Sequence, residues 1–105
     1  MGWSAMKRLK MGNLVWNYLV VPRSEIAAYA GSTYERLDGL TESPDTKNRR
    51  MFVADDLRGV NWLDTHIHEM LHARLWDLSE ECVTDLARDI AHNLHRLGVR
   101  APVLR

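Results

Sequence analysis

The spacing of apolar residues changes near residue 61 and divides the chain into two parts. In the first part, residues 14–21 are rich in β-branched and aromatic side chains and end before Pro22, which predicts a strand. The short apolar run at residues 51–54 predicts another strand, followed by a turn near Gly59. Residues 1–11 have no clear pattern, and we predict a loosely ordered or loosely docked end.

Between these two strands the pattern is weaker. Residues 24–30 predict a short helix, with Ser24 as its N-cap and Gly31 as its stop. Residues 33–37 predict a further strand. Residues 38–48 contain glycine, proline and several asparagine, aspartate and serine residues, which are typical of a loop or turn.

From Asn61 onwards, the apolar residues follow a helical period. Asn61 is the predicted N-cap of a helix that runs to about Leu75, and Ser79 is the predicted N-cap of a second helix that ends at Gly98. The first helix has an apolar face made of Leu63, Ile67, Met70, Leu71 and Leu75. The second has an apolar stripe made of Val83, Leu86, Ala87, Ile90, Leu94 and Leu97. The link at 76–78 is short, so the two helices are predicted to form an αα-hairpin. The whole chain is therefore predicted to be one α+β domain, residues 1–105, with a small sheet packed on this C-terminal hairpin.

Composition narrows the class of protein. The chain has 105 residues, of which 46% are hydrophobic and 27% are charged, as in ordinary globular domains. Its fourteen basic and fourteen acidic residues give a formal net charge of zero, which argues against nucleic-acid or anionic-membrane partners. Cys82 is the only cysteine, so no internal disulfide forms. We find no signal peptide or membrane-spanning stretch, and the expected location is the cytoplasm.

Residues 68–72 read His-Glu-Met-Leu-His, a pattern that suits zinc hydrolysis. On a helix His68 and His72 lie one turn apart on one face, where both imidazoles can bind a single Zn²⁺. Glu69 lies about 100° further round the helix, where it can act as a general base on a water beside the metal. The alternative is a polar helix with two exposed histidines.

Catalytic zinc sites usually have a third protein ligand. The extended motif with a third histidine is excluded, because it needs glycine at 75 and histidine at 78, where this chain has Leu75 and Leu78. A carboxylate at the start of the second helix is the remaining choice. Glu81 is preferred because Asp85, one turn on, would then accept the far N–H of a zinc histidine. Glu80 is the alternative, since it lies closer to the edge of the apolar stripe, and both acids also suit the helix dipole.

The other histidines, the cysteine and the aromatic residues are expected to lie mainly outside the metal site. His66 is expected to be structural or exposed, and His92 and His95 to be solvated. Cys82 as a thiolate ligand of a closed structural site is a lesser alternative. The tryptophans at 16, 62 and 76 are predicted core anchors. Two tyrosines are candidate oxyanion donors, Tyr29 and Tyr34.

The motif His68-Glu69-x-x-His72 followed by Glu81-x-x-x-Asp85 resembles the gluzincin arrangement, in a shortened form. Residues 63–73, 76–81 and 97–100 also resemble small HExxH proteins encoded by tailed phages, a likeness that covers about residues 50–100. This resemblance implies a metallopeptidase-like (zincin-like) fold, a phage origin and the host-cell cytoplasm. It does not supply a substrate.

The leading hypothesis is therefore zinc-dependent hydrolysis of a peptide bond in a peptide or protein substrate. The strand at 51–54 would align that substrate by β-addition. The alternative is a non-catalytic module that binds a host factor, with a structural zinc or no metal at all. Amide hydrolysis in peptidoglycan would use the same site but would need access to the cell wall. The oligomeric state is not indicated by the sequence.

Overall fold

A computed structural model describes residues 7–30 and 37–102 of the chain. Over these residues the fold is α+β, with a four-stranded mixed sheet and three helices. In chain order the elements are β1 (Lys7–Met11), β2 (Leu14–Val21), α1 (Arg23–Ala30), β3 (Gly39–Thr41), β4 (Arg50–Ala54), α2 (Gly59–Arg74) and α3 (Glu80–Arg96). The predicted α+β class, the strands at 14–21 and 51–54 and the helical hairpin are thus confirmed.

The sheet has the strand order β1-β2-β4-β3. The central strands β2 and β4 are parallel, and each pairs antiparallel with an outer strand, β1 and β3 respectively. A tight turn at Gly12, whose φ of 65° favours glycine, joins β1 to β2. The order leaves β3 at one edge of the sheet, next to α2.

Two buried clusters hold the sheet to the helices. The first joins β2 and β4 to α1 through Val21, Ile26, Phe52 and Val53, none of which is exposed to solvent. The second places Trp16 and Met51 of the sheet against Ala73 of α2. Burial of these apolar side chains is the main stabilising term, and it fixes α2 relative to the sheet.

The helical hairpin packs through residues spaced four apart on α3. Val83, Ala87 and Ala91 are fully buried, and the two alanines allow close approach of the helices. Ser79 caps α3 as predicted, because its Oγ accepts the backbone N–H of Cys82 at 3.1 Å. The predicted stripe is wrong at its edges, since Leu86 is 38% exposed and Leu97 is 80% exposed.

Three local predictions differ from the structure, and a fourth lies almost wholly outside the described residues. Residues 7–11 are not a loose end but pair with β2 as strand β1. Residues 39–41 form β3 within the predicted loop, because they supply hydrogen-bond partners to the outer edge of β4. The strand predicted at 33–37 lies outside the described residues except for Leu37, which is irregular. Helix α2 begins at Gly59 with Arg58 as its N-cap, two residues earlier than the predicted start at Asn61.

No helix among the described residues has both the length and the apolar character that crossing a membrane requires.

The ion pair between Glu42 and Arg50 closes the β3–β4 hairpin, with 2.8 Å between Glu42 Oε2 and Arg50 Nη2. The hydrogen bond from Arg50 holds the pKa of Glu42 below its ordinary value of 4.5. The pair therefore stabilises the fold above that pH, and its contribution is lost as the pH falls below 4.5 towards the pKa of the folded state. We expect Glu42→Gln to lower the free energy of unfolding by up to about 1 kcal/mol at neutral pH and to have a smaller effect near pH 3. Urea unfolding of both proteins at the two pH values checks this, with Glu81→Gln as an exposed control. An equal difference at both pH values would contradict the assignment.

Candidate metal centre

Three side chains from the two arms of the hairpin converge on one point. His68 Nε2 and His72 Nε2 lie 3.1 Å apart. Glu80 Oε2 lies 3.1 Å from His68 Nε2, and Glu80 Oε1 lies 2.9 Å from His72 Nε2. Tetrahedral zinc with bonds of about 2.0 Å separates its ligand atoms by about 3.3 Å, which is close to these spacings. The two imidazoles and the carboxylate therefore fit a zinc ion in both atom type and separation.

The structure brings Glu80, and not the preferred Glu81, together with the two histidines. Glu80 joins the cluster with His68 and His72, whereas Glu81 is exposed and is not part of any potential ligand group among the described residues. The reason is helical phase. Val83 and Ala87 face α2, and Glu80, three residues before Val83, lies on that side of α3, whereas Glu81 points away from α2.

Asp85 also lies away from the two histidines and has a partner on its own helix. Its Oδ1 accepts a hydrogen bond at 2.9 Å from Arg88 on the same helix, and the side chain is exposed. Asp85 comes four residues after Glu81, so both lie on the face of α3 that points away from α2. From that face Asp85 cannot accept a hydrogen bond from a histidine on α2.

Glu69 lies beside the three ligands without joining them. Its side chain is buried, with 5% of the residue exposed, and Thr41 Oγ1 donates a hydrogen bond to its Oε1 at 2.7 Å. Burial raises the pKa of Glu69 to about 7, and the bond from Thr41 opposes this shift. Glu69 is thus held as a potential proton carrier and not as a metal ligand.

An open cleft of about 590 Å³ contains the cluster and Glu69. One wall is the edge strand β3 with the two residues before it, and the floor is α2. The start of α3 and the preceding link complete the cleft. Its polar lining consists of Asp38, Thr41, Asn61, Asp64, Thr65, His68, Glu69, His72, Glu80 and Thr84. The cleft therefore offers room for a ligand beside the three converging side chains.

The strand at 51–54 cannot align a substrate, contrary to the prediction. These residues lie in β4, which is buried and paired on both sides, with β2 and with β3. The edge strand next to the cleft is β3.

The sequence analysis missed most of the cleft lining, including three residues that contact the site. Thr41 and Gly39 lie in a segment predicted to be a loop, and no local signal connects them to Glu69. Trp76 is not a core anchor, because it is 42% exposed and its ring meets the edge of the His72 ring at a centroid distance of 6.4 Å. Its position one helical turn after His72 is a signal that could have placed it in the cleft. The other two predicted anchors differ: Trp16 is fully buried, and Trp62 is partly buried against the core.

His66 is buried and structural, which confirms that it is not a ligand. Its Nδ1 donates to the Trp62 carbonyl oxygen at 2.7 Å, and its Nε2 lies 2.6 Å from the Tyr18 hydroxyl. Burial lowers the pKa of His66, so the neutral ring is favoured. The bond to Tyr18 ties α2 to β2, and the bond to Trp62 lies within α2.

The remaining candidates are outside the cluster. His92 and Cys82 are exposed and His95 is partly buried, and none of the three joins the potential metal ligands. Tyr29 stacks on Phe52 at a centroid distance of 4.5 Å and does not line the cleft. Tyr34 lies outside the described residues.

Gly39 makes a close approach that fixes the position of Glu69. A Cβ at this position would lie 2.9 Å from Glu69 Cγ and Oε2, and 3.0 Å from the Phe52 carbonyl oxygen. We expect Gly39→Ala to destabilise the protein by about 1–3 kcal/mol, because the glutamate or the strand must move. Chemical unfolding of a double-mutant cycle with Glu69→Ala measures this. The alanine at 39 should cost less once the glutamate is removed, and a cost independent of residue 69 would refute this packing account.

Comparison with known proteins identifies no relative. No family model, no curated protein and no solved structure matches the chain.

Proposed function

We propose that this chain is a zinc-dependent peptidase with a minimal, gluzincin-like site. His68, His72 and Glu80 hold the metal, and Glu69 is the general base. One observation carries the proposal: three atoms of the types that zinc prefers converge in a cleft, while the adjacent Glu69 is withheld from them by Thr41.

The metal would supply Lewis acidity, which polarises a carbonyl oxygen and makes a water more acidic. The chain's own residues do the rest. His68 presents a neutral ring, because burial lowers its pKa more than Glu80 raises it. Glu69 accepts the proton of the attacking water at its carboxylate and delivers it to the leaving amine nitrogen. Thr41 holds that carboxylate in place, and Gly39 leaves room for it.

The edge strand β3 supports a peptide as the substrate class. Gly39, Leu40 and Thr41 line the cleft on the outer strand of the sheet. An extended peptide can pair its main chain with such an edge, which would draw a peptide bond across the floor of the cleft. Helix α2 carries the two histidines and α3 carries Glu80, and the cleft that they form lies beside a sheet edge. This arrangement also agrees with the zincin-like fold that we propose.

Two measurements test the function. Protein purified without chelator should contain one zinc per chain by elemental analysis. Mass spectrometry of a random peptide library should show cleavage that a chelator abolishes and that added zinc restores. Zinc without any cleavage would favour the structural-zinc binding module instead. A protein that neither retains nor takes up zinc would contradict the proposal altogether.

A further inference from the structure

Asp64 is a cleft residue that the mechanism above does not use. It lies on α2 one turn before His68, about 6 Å along the helix axis. The side chain lines the cleft and is partly buried. Within residues 7–30 and 37–102 no hydrogen bond or ion pair satisfies its carboxylate.

The other carboxylates that line the cleft all have partners. These pairs are Asp38 with Arg23, Glu69 with Thr41, and Glu80 with His68 and His72. No lysine or arginine in the described part of the chain lines the cleft. Asp64 is therefore the lining carboxylate to which no described residue gives a hydrogen bond or an ion pair.

The surroundings of Asp64 do not compensate for its burial. Loss of water raises its pKa, and the more distant charges of His68, His92 and Arg88 lower it only in part. None of these three side chains forms an ion pair with it. A partly buried carboxylate without a donor is stabilised by a ligand that brings a positive N–H group.

We propose that Asp64 is a specificity-determining residue that binds an ammonium or guanidinium group of the substrate. The preferred substrate is then a peptide with a basic side chain, or a free amino terminus, within about two residues of the cleaved bond. This span follows from the spacing to His68, since an extended chain covers about 3.3–3.6 Å per residue. The inference rests on the proposed peptidase function and adds a substrate class to it.

The test is a binding measurement that does not depend on turnover. Zinc-loaded Glu69→Gln protein is titrated calorimetrically with acetylated Ala-Gly hexapeptide amides that carry one lysine at each position in turn. A matched set carries norleucine, which has a similar shape without the charge, and a third set has a free amino terminus. We expect the best cationic peptide to bind about tenfold more tightly than its neutral match. The lysine and free-terminus arms show which of the two sources supplies the cation.

Variants assign this preference to Asp64. When Asp64→Asn is added to the Glu69→Gln protein, the preference for cationic peptides should disappear. Asp89 is exposed and lies outside the cleft, so the preference should remain when Asp89→Asn is added instead. In the active protein Asp64→Asn should raise KM for basic substrates by a similar factor, with little change in kcat.

The outcomes separate the two proposals. Equal binding of charged and neutral peptides overturns the role of Asp64 and leaves the peptidase function standing, and this comparison needs no substitution at Asp64. A preference that survives Asp64→Asn in protein that keeps its zinc also overturns it. A zinc-loaded protein that binds and cleaves no peptide overturns the peptidase function, and the inference falls with it.

Discussion

Exchange of Glu80 for alanine is expected to weaken zinc binding by at least about a hundredfold, whereas exchange of Glu81 leaves it unchanged. Loss of a group that only supports a ligand already reduces metal affinity by roughly 10–100-fold, and Glu80 lies in direct contact with both histidines. The measurement is a competition titration against a chromophoric chelator.

The two variants are matched controls for each other. Each removes one acidic side chain from the first turn of α3, so each loses a similar favourable interaction with the helix dipole. A difference in zinc affinity therefore reports ligation and not helix stability. Equal losses in both variants, or a larger loss in Glu81→Ala, would refute the ligand set described above.

Exchange of Glu69 for glutamine should leave zinc affinity within a few-fold of the original and lower kcat/KM by about a thousandfold. Glutamine has the same shape and can still accept the hydrogen bond from Thr41, but it cannot take a proton from water. General base catalysis contributes roughly 10²–10⁴-fold, which sets the size of the effect. Hydrolysis of a library-derived substrate and zinc content are measured on the same preparation.

The control for this second variant is Glu81→Gln, which removes an exposed carboxylate outside the cleft. It should hydrolyse the substrate at the original rate. Undiminished hydrolysis by Glu69→Gln would eliminate Glu69 as the base, because no step of the reaction would then need its carboxylate.

The helical hairpin, whose first helix α2 carries the two histidines, could be predicted from the sequence because its determinants are local. The apolar period, the Ser79 cap and the stop at Gly98 each act within a few residues. The spacing of His68 and His72 is likewise a property of one helix. Strand β3 was missed because three residues in a turn-rich segment become a strand only through pairing with β4.

Which glutamate of α3 lies beside the histidines depends on how α3 is rotated relative to α2. That rotation is set by the link between them, where the Leu78 N–H bonds to the Leu75 carbonyl oxygen and Ser79 caps α3. The preference for Glu81 rested on its spacing from Asp85 within one helix, whereas the structure brings the neighbouring Glu80 to the histidines. Thr41 meets Glu69 across 28 residues of sequence, a tertiary contact that no local pattern encodes.

Because the ligands come from both α2 and α3, an ion bound to them is a cross-link between the helices. Any free energy of binding to the folded chain adds to the stability of the hairpin, by about 4 kcal/mol at a metal concentration a thousand times the Kd. Apart from the short link, α3 is held mainly by small side chains packed on α2. If the proposed site binds zinc, its occupancy would set how often α3 opens away from the domain, and the supply of zinc would then control the lifetime of the folded protein.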